Sequence, residues 1–319
     1  MNKNTFIKFT KYFILVISFI FALVITFLSS LNIIKYPLYK DYYSNLTRVC
    51  KNPGLNDDYI PQGITNFENK FITVGYMKTH SNSRIYVTDS KTGETKYFTL
   101  LSNGKDFFGH TGGIQYLNGF LYLADEGTGL YKIPVENIDK ISGSKIDIGS
   151  PIKLNTNTSF VFGKDEYLYV GEFHKSIDYE CTNIIEHNGK TNYAIVEKYN
   201  INDFTKPVEI YSIPEQIQGF CIKDDGTIIL SSSWSINSSK IYVYTPECVI
   251  KTRQSYNNSQ VFFLDEPTKT IKAPAMSEDL DIIVSKSGKS KVITMFESSS
   301  NKYFYGKFFF SNYIAALDI

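Results

Sequence analysis

Gly109-His110-Thr111-Gly112-Gly113-Ile114 opens a run that continues as Gly119-Phe120-Leu121-Tyr122-Leu123-Ala124-Asp125 and Gly129-Leu130-Tyr131-Lys132-Ile133. Flat and apolar side chains fill the later stretches and glycine marks their edges, the pattern of short strands joined by tight turns. The unit recurs. Lys70-Phe71-Ile72-Thr73-Val74, Arg84-Ile85-Tyr86-Val87-Thr88-Asp89 and Lys96-Tyr97-Phe98-Thr99-Leu100 form a meander before it. Glu166 to Gly171 with Ala194 to Tyr199, Gly226 to Ser231 with Lys240 to Tyr244, and Asp281 to Val284 with Lys291 to Phe296 follow it. A small motif precedes each unit: Pro61-Gln62-Gly63-Ile64, the His110 motif, Phe160-Val161-Phe162-Gly163, Ile217-Gln218-Gly219-Phe220 and Ala275-Met276-Ser277-Glu278. Gly63, Gly112, Gly163 and Gly219 stand roughly 50 residues apart, a repeat length that suits propeller blades. Glycine belongs on the innermost strand, where blades converge on an axis and leave little room for side chains. The expected fold is all-β: a five-bladed β-propeller over residues 59–319, with six blades as the alternative count if the long third unit holds two. The strand-like Lys307-Phe308-Phe309-Phe310 is expected to pair with the start of the domain and close the ring.

The first forty residues differ. Lys3, Lys8 and Lys11 precede an uncharged run from Tyr12 to Ile34, ended by Lys35. About 23 residues at ~1.5 Å each make about 35 Å, enough to cross a hydrocarbon core of roughly 30 Å. A cleaved signal peptide has a shorter apolar stretch and a small-x-small cleavage site, of which Ser29-Ser30-Leu31 is a poor version. The reading is a cytoplasmic N-terminus (1–11), one transmembrane signal anchor (12–34), a tether (35–58) rich in turn residues, and the propeller (59–319). The lysines keep the N-terminus inside and send the propeller outside the cytoplasm. The predicted localisation is the cell membrane, single-pass, with the membrane as one partner and an extracellular ligand or protein as the other. A formal charge of +1 gives no electrostatic case for nucleic acid. Cys50, Cys181, Cys221 and Cys248 form no Cys-x-x-Cys pair, and leave open three disulfide pairings or four free thiols.

Pro61-Gln62-Gly63, Gly109-His110-Thr111-Gly112-Gly113-Ile114, Gln218-Gly219, Ser238-Ser239-Lys240-Ile241-Tyr242-Val243 and Ala273-Pro274-Ala275-Met276-Ser277-Glu278 resemble the motifs of an uncharacterised family of bacterial extracytoplasmic β-propeller proteins. The resemblance runs from about Cys50 to the end and implies a propeller at the cell surface, without an established reaction. More distantly the chain resembles calcium-dependent propeller lactonases and esterases of the paraoxonase and gluconolactonase type. Calcium takes several oxygen ligands rich in Asp, Glu and Asn. The matching places here hold Gln62, His110, Gln218 and Glu278, with one carboxylate among them.

Those four are the candidate ligand-binding residues of a central channel. His110 sits among glycines where a channel histidine could act as a general base; the alternative is a hydrogen bond between blades. Gln62 and Gln218 occupy equivalent places and either read a polar ligand or satisfy neighbouring backbone. Glu278 is the candidate for a cation, and is expected to pair with His110 across the axis. Glu126 and Glu172 follow second strands and are expected at a solvated channel mouth; Trp234 is either packing or a stacking platform. No Gly-x-Ser-x-Gly elbow, phosphate loop or His-Glu-x-x-His helix is present. No cofactor is identified beyond calcium as an option. Two function classes remain: a ligand-binding or scaffold domain, and a metal-assisted lactonase-like or esterase-like hydrolase. The catalytic residues of the second are not readable.

Overall fold

A computed structural model describes residues 3–285, 288–306 and 312–319. Its strands form five blades round an axis. Blade 1 is the antiparallel meander Tyr59–Phe67, Lys70–Met77, Arg84–Asp89 and Thr95–Ser102, with Lys145–Asp147 parallel on its outside. Blade 2 is Gly113–Leu117, Phe120–Asp125 and Gly129–Pro134. Blade 3 is Phe160–Lys164, Tyr167–Gly171, Ala194–Asn200 and Glu209–Ile213. Blade 4 is Ile217–Ile222, Ile228–Ser232, Ser239–Tyr244 and Lys269–Ala273. The hairpin Val249–Tyr256 and Ser259–Leu264, which interrupts blade 4 in sequence, leaves it and extends blade 3 through a parallel pairing with Glu209–Ile213.

Middle strands are apolar on both faces because blades stack on either side of them. Leu121, Tyr122, Leu123 and Ala124 are all fully buried, as are Ile229, Leu230 and Ser231. This explains why the sequence shows continuous apolar runs rather than strict alternation. Glycines of the inner strands sit where no Cβ fits. A Cβ on Gly63 would stand 2.6 Å from the Ile114 nitrogen of blade 2, and one on Gly219 would stand 2.7 Å from the Leu280 nitrogen of blade 5.

Blade 5 joins both ends of the domain: Ser277–Val284, Ser290–Phe296 and Tyr313–Leu317 from the C-terminal side, then Leu46–Lys51 from the N-terminal side. Ring closure therefore falls to Tyr313–Leu317, and Lys307–Phe310 lies outside the described residues. Leu46–Lys51, in the stretch read as tether, is the outermost strand of the ring. It is preceded by helix α1 (Lys3–Leu38) and the short helix α2 (Lys40–Asn45). Within α1, Ile7–Phe27 is long and apolar enough to span a membrane, with a hydropathy of 2.2 and no part buried against the propeller. The α2 residue Tyr42 is fully buried and meets Phe296 edge-on at 5.8 Å.

Carboxylates of the innermost strand of blade 5 tie the ring at its axis. Asp279 Oδ2 accepts the backbone N–H groups of Ile64 in blade 1 (3.3 Å) and Ile114 in blade 2 (3.2 Å). Asp281 Oδ2 accepts the Thr65 hydroxyl (2.9 Å) and the Asn66 N–H (2.9 Å), while Thr65 Oγ1 accepts the Tyr116 N–H (3.0 Å). Inner strands have one edge without a neighbouring strand, and these oxygens serve donors that would otherwise be buried bare.

Candidate functional site

At one end of the axis lies a cavity of about 470 Å³, within the size range of small-molecule sites. Gln62, His110, Gln218 and Glu278 all line it, together with Glu126 and Trp234. Local backbone geometry accounts for three of them. The strand register slips between Pro61 and Gly63, between Ile217 and Gly219, and between Ser277 and Leu280. Each slip is a β-bulge that releases Gln62, Gln218 or Glu278 from the alternation of its strand. Gln62 is buried and its Nε2 donates to the Pro61 carbonyl (3.1 Å).

His110 does not pair with Glu278 as expected. Its Nδ1 lies 3.5 Å from Glu126 Oε2, with the imidazole half-exposed and stacked obliquely on Tyr76 at 5.0 Å. Loss of water around the ring opposes its charge, but Glu126, and then Glu297 and Asp125, outweigh this and hold its pKa above the usual imidazole value. Position explains the pairing: Glu126 closes the second strand of the blade that His110 opens, so the two share one end of one blade. Glu278 is buried, and its pKa is raised well above the carboxylate range by that burial, then by Glu297 and Asp279. Glu172 is not at a solvated rim either. It is buried outside the cavity, accepting from Asn183 Nδ2 (2.9 Å) and the Ile195 N–H (3.2 Å), and burial pushes its pKa up to about 7.

Sequence reading missed Tyr76, Phe173, Tyr179, Glu297, Lys302 and Tyr303, which also line the cavity. Tyr76 donates to Glu297 Oε1 (2.8 Å) and accepts from Lys302 Nζ (2.6 Å). Burial, then Glu297, raises the Tyr76 pKa, so the phenol stays protonated. The Lys302 ammonium also lies over the Tyr76 and Tyr303 rings, at 4.8 and 4.9 Å. Phe173 stacks on Trp234 at 5.9 Å and Tyr179 meets both edge-on, forming an aromatic wall. A signal for several of these residues was present. Tyr76, Glu126, Phe173, Trp234 and Glu297 all stand at the end of the second strand of their blades, the rule that singled out Glu126 and Glu172.

The site thus joins an aromatic wall, amides and a buried carboxyl, with two carboxylates engaged by His110 and Tyr76. Glu126 Oε1 is buried without a hydrogen-bond partner and remains free to accept. Among the described residues, no group of three or more His, Cys, Asp or Glu side chains is arranged to hold a metal ion. All four cysteines are free thiols, and burial pushes the Cys50 and Cys181 pKa values up to about 11 and about 12.

No known protein family and no curated protein matches the sequence. Among solved structures, the chain is similar to glutaminyl cyclase of Myxococcus xanthus, with 9% identity and a TM-score of 0.46 over 86% of this chain and 94% of that one. It is similar to the PQQ-bound aldose sugar dehydrogenase of Streptomyces coelicolor, with 12% identity and a TM-score of 0.44 over 79% and 80%. BamB of Moraxella catarrhalis follows at 6% identity and a TM-score of 0.33 over 86% and 100%. Likenesses at this level carry no residue and no activity over to this chain.

Proposed function

We propose that this chain is a membrane-anchored, extracytoplasmic β-propeller that binds a small polar ligand in its axial cavity. The observation that carries the reading is the convergence of Gln62, His110, Gln218 and Glu278, from four blades, on one cavity of about 470 Å³. The aromatic wall of Phe173, Tyr179 and Trp234 faces a polar remainder, and this combination suits a ligand with one flat apolar face and several hydroxyl or amine groups, such as a sugar ring. Glu278, held protonated by its surroundings, donates a hydrogen bond to such a ligand, and Glu126 Oε1 accepts one. Lys3, Lys8 and Lys11 before the apolar span of α1 support a cytoplasmic N-terminus with the propeller outside.

The hydrolase reading draws on the nearness of His110 and Glu126, a base and the carboxylate that orients it. Its calcium-assisted form fits the residues poorly. Calcium asks for six to eight oxygens, and of the three cavity carboxylates Glu126 is engaged by His110 and Glu297 by Tyr76.

Thermal unfolding of the full chain, with a panel of sugars, amino compounds and calcium, separates the readings. A cavity ligand at about 100 times its Kd adds about 2.7 kcal/mol and raises Tm by several degrees. That gain should vanish in Gln218→Ala and Glu278→Ala. Hydrolysis of an ester or lactone panel, abolished by His110→Ala or by chelator, would replace the binding reading with the enzymatic one.

A further inference from the structure

The chain enters the propeller at the cavity end. Tyr39 is the single residue between α1 and α2; it is buried, and its hydroxyl lies 3.2 Å from Ser238 Oγ. Ser238 belongs to the turn between the second and third strands of blade 4, the turn that also brings Ser233, Trp234 and Ser235 to the cavity. From there α2 descends beside the outer strand of blade 4 to Asn45, whose carbonyl accepts the Asp318 N–H at the opposite strand ends, where Leu46 pairs with Leu317.

The tether at this point is short and helical. The uncharged run of α1 ends at Ile34, and from Lys35 to Tyr39 the rise is only about 6 Å. Counted from Phe27, where the most apolar window ends, it is about 18 Å. No flexible linker intervenes, so a spanning α1 holds the cavity end of the propeller close to the bilayer surface.

That same end presents large apolar side chains to solvent on its turns: Phe108 (58% exposed) beside His110, Ile236 (65%) beside Trp234, and Ile177 (91%) at the tip of the loop that carries Tyr179. Ile177 has φ +75°, a conformation a β-branched residue adopts only at a cost. Lys175 precedes the tip while Asp178 and Glu180 follow it, so carboxylates outnumber the ammonium there and the contact the tip can make is apolar rather than a salt-dependent attraction to anionic lipid. Exposed apolar residues occur singly elsewhere, as at Val284; on this face they coincide with the anchor.

We infer that the cavity-bearing face lies against the bilayer from which α1 emerges, with Phe108, Ile177 and Ile236 in its interfacial layer and the cavity opening toward the membrane surface. The inference rests on the anchored reading of α1. A ligand reaching the cavity does so from the membrane side.

The chain contains one tryptophan, Trp234, at the cavity. The full chain is reconstituted in phosphatidylcholine vesicles containing headgroup-nitroxide lipid, and tryptophan quenching is read for three forms: wild type, Trp234→Phe/Ile236→Trp, and Trp234→Phe/Val284→Trp. The strand Ser277–Val284 places position 284 about 25 Å further from the cavity end. Wild type and the Ile236→Trp form should be quenched severalfold more by the lipid nitroxide than the Val284→Trp form, with the order reversed for aqueous iodide. The wild-type measurement needs no substitution to fold. Protein that floats with the vesicles but shows equal quenching, or stronger quenching at position 284, overturns the orientation while leaving the anchor standing. Protein that does not float with the vesicles overturns both.

Discussion

The pairing of His110 with Glu126 is the most exposed point of the site to direct measurement. Their attraction exists while the imidazole is protonated and is lost as pH rises through its raised pKa. Glu126→Gln should therefore lower the His110 pKa, whereas Glu278→Gln should leave it nearly unchanged. Histidine-labelled NMR titration of the full chain reads both, and a His110 pKa that ignores Glu126→Gln would remove the pair from the site. The four ring residues were legible because each sits beside a small residue that opens a blade. The partner of His110 was not, because opening motifs alone place residues on an axis without saying which blade end they share. Residues at the ends of second strands decide that, and they carry no common residue type: Tyr76, Glu126, Phe173, Trp234 and Glu297.

At the scale of the strand, the decisive parts are the three bulges and the carboxylates of Ser277–Val284. Asp279→Ala should cost about 2–5 kcal/mol, because it leaves two buried N–H groups of blades 1 and 2 without their acceptor. Asp279→Asn keeps an acceptor oxygen and should lose clearly less; thermal unfolding that ranks the two equally would deny the clamp. Tyr42→Ala in α2 should cost about 3–5 kcal/mol through the hole left against Phe296. Blade periodicity was readable from glycine because Gly63 and Gly219 have no space for a Cβ. A bulge adds one residue and leaves no compositional trace, so the mechanism that frees Gln62, Gln218 and Glu278 appears only in the register. The extension of blade 3 by Val249–Leu264 was hidden for a related reason: pairing between distant strands has no local signature.

For the whole molecule, buried carboxyl groups set the pH dependence. Burial lifts Asp125 to about 6 and Glu172 to about 7, and shifts Glu278 and Asp279 the same way. A carboxyl whose folded pKa is raised contributes most below its unfolded value and loses that contribution as pH climbs through the folded one; the raised pKa of His110 acts in the same sense. Thermal stability should therefore fall between about pH 4.5 and pH 7, by on the order of 2–3 kcal/mol each for Asp125 and Glu172; stability rising over that range would contradict the assignment. The closure of the ring by Leu46–Lys51 on Tyr313–Leu317 joins the anchor to the fold, and protease added to intact cells should digest the propeller and leave a protected fragment containing α1. We propose the axial cavity as the place where a ligand binds. Calorimetric titration of the full chain, using the compound that most raises its Tm, tests this most directly. Affinity should fall at least tenfold in both Glu278→Ala and Trp234→Ala and stay unchanged in Lys164→Ala, at the opposite mouth of the axis. Binding that survives both cavity substitutions, or is lost with Lys164, would contradict it.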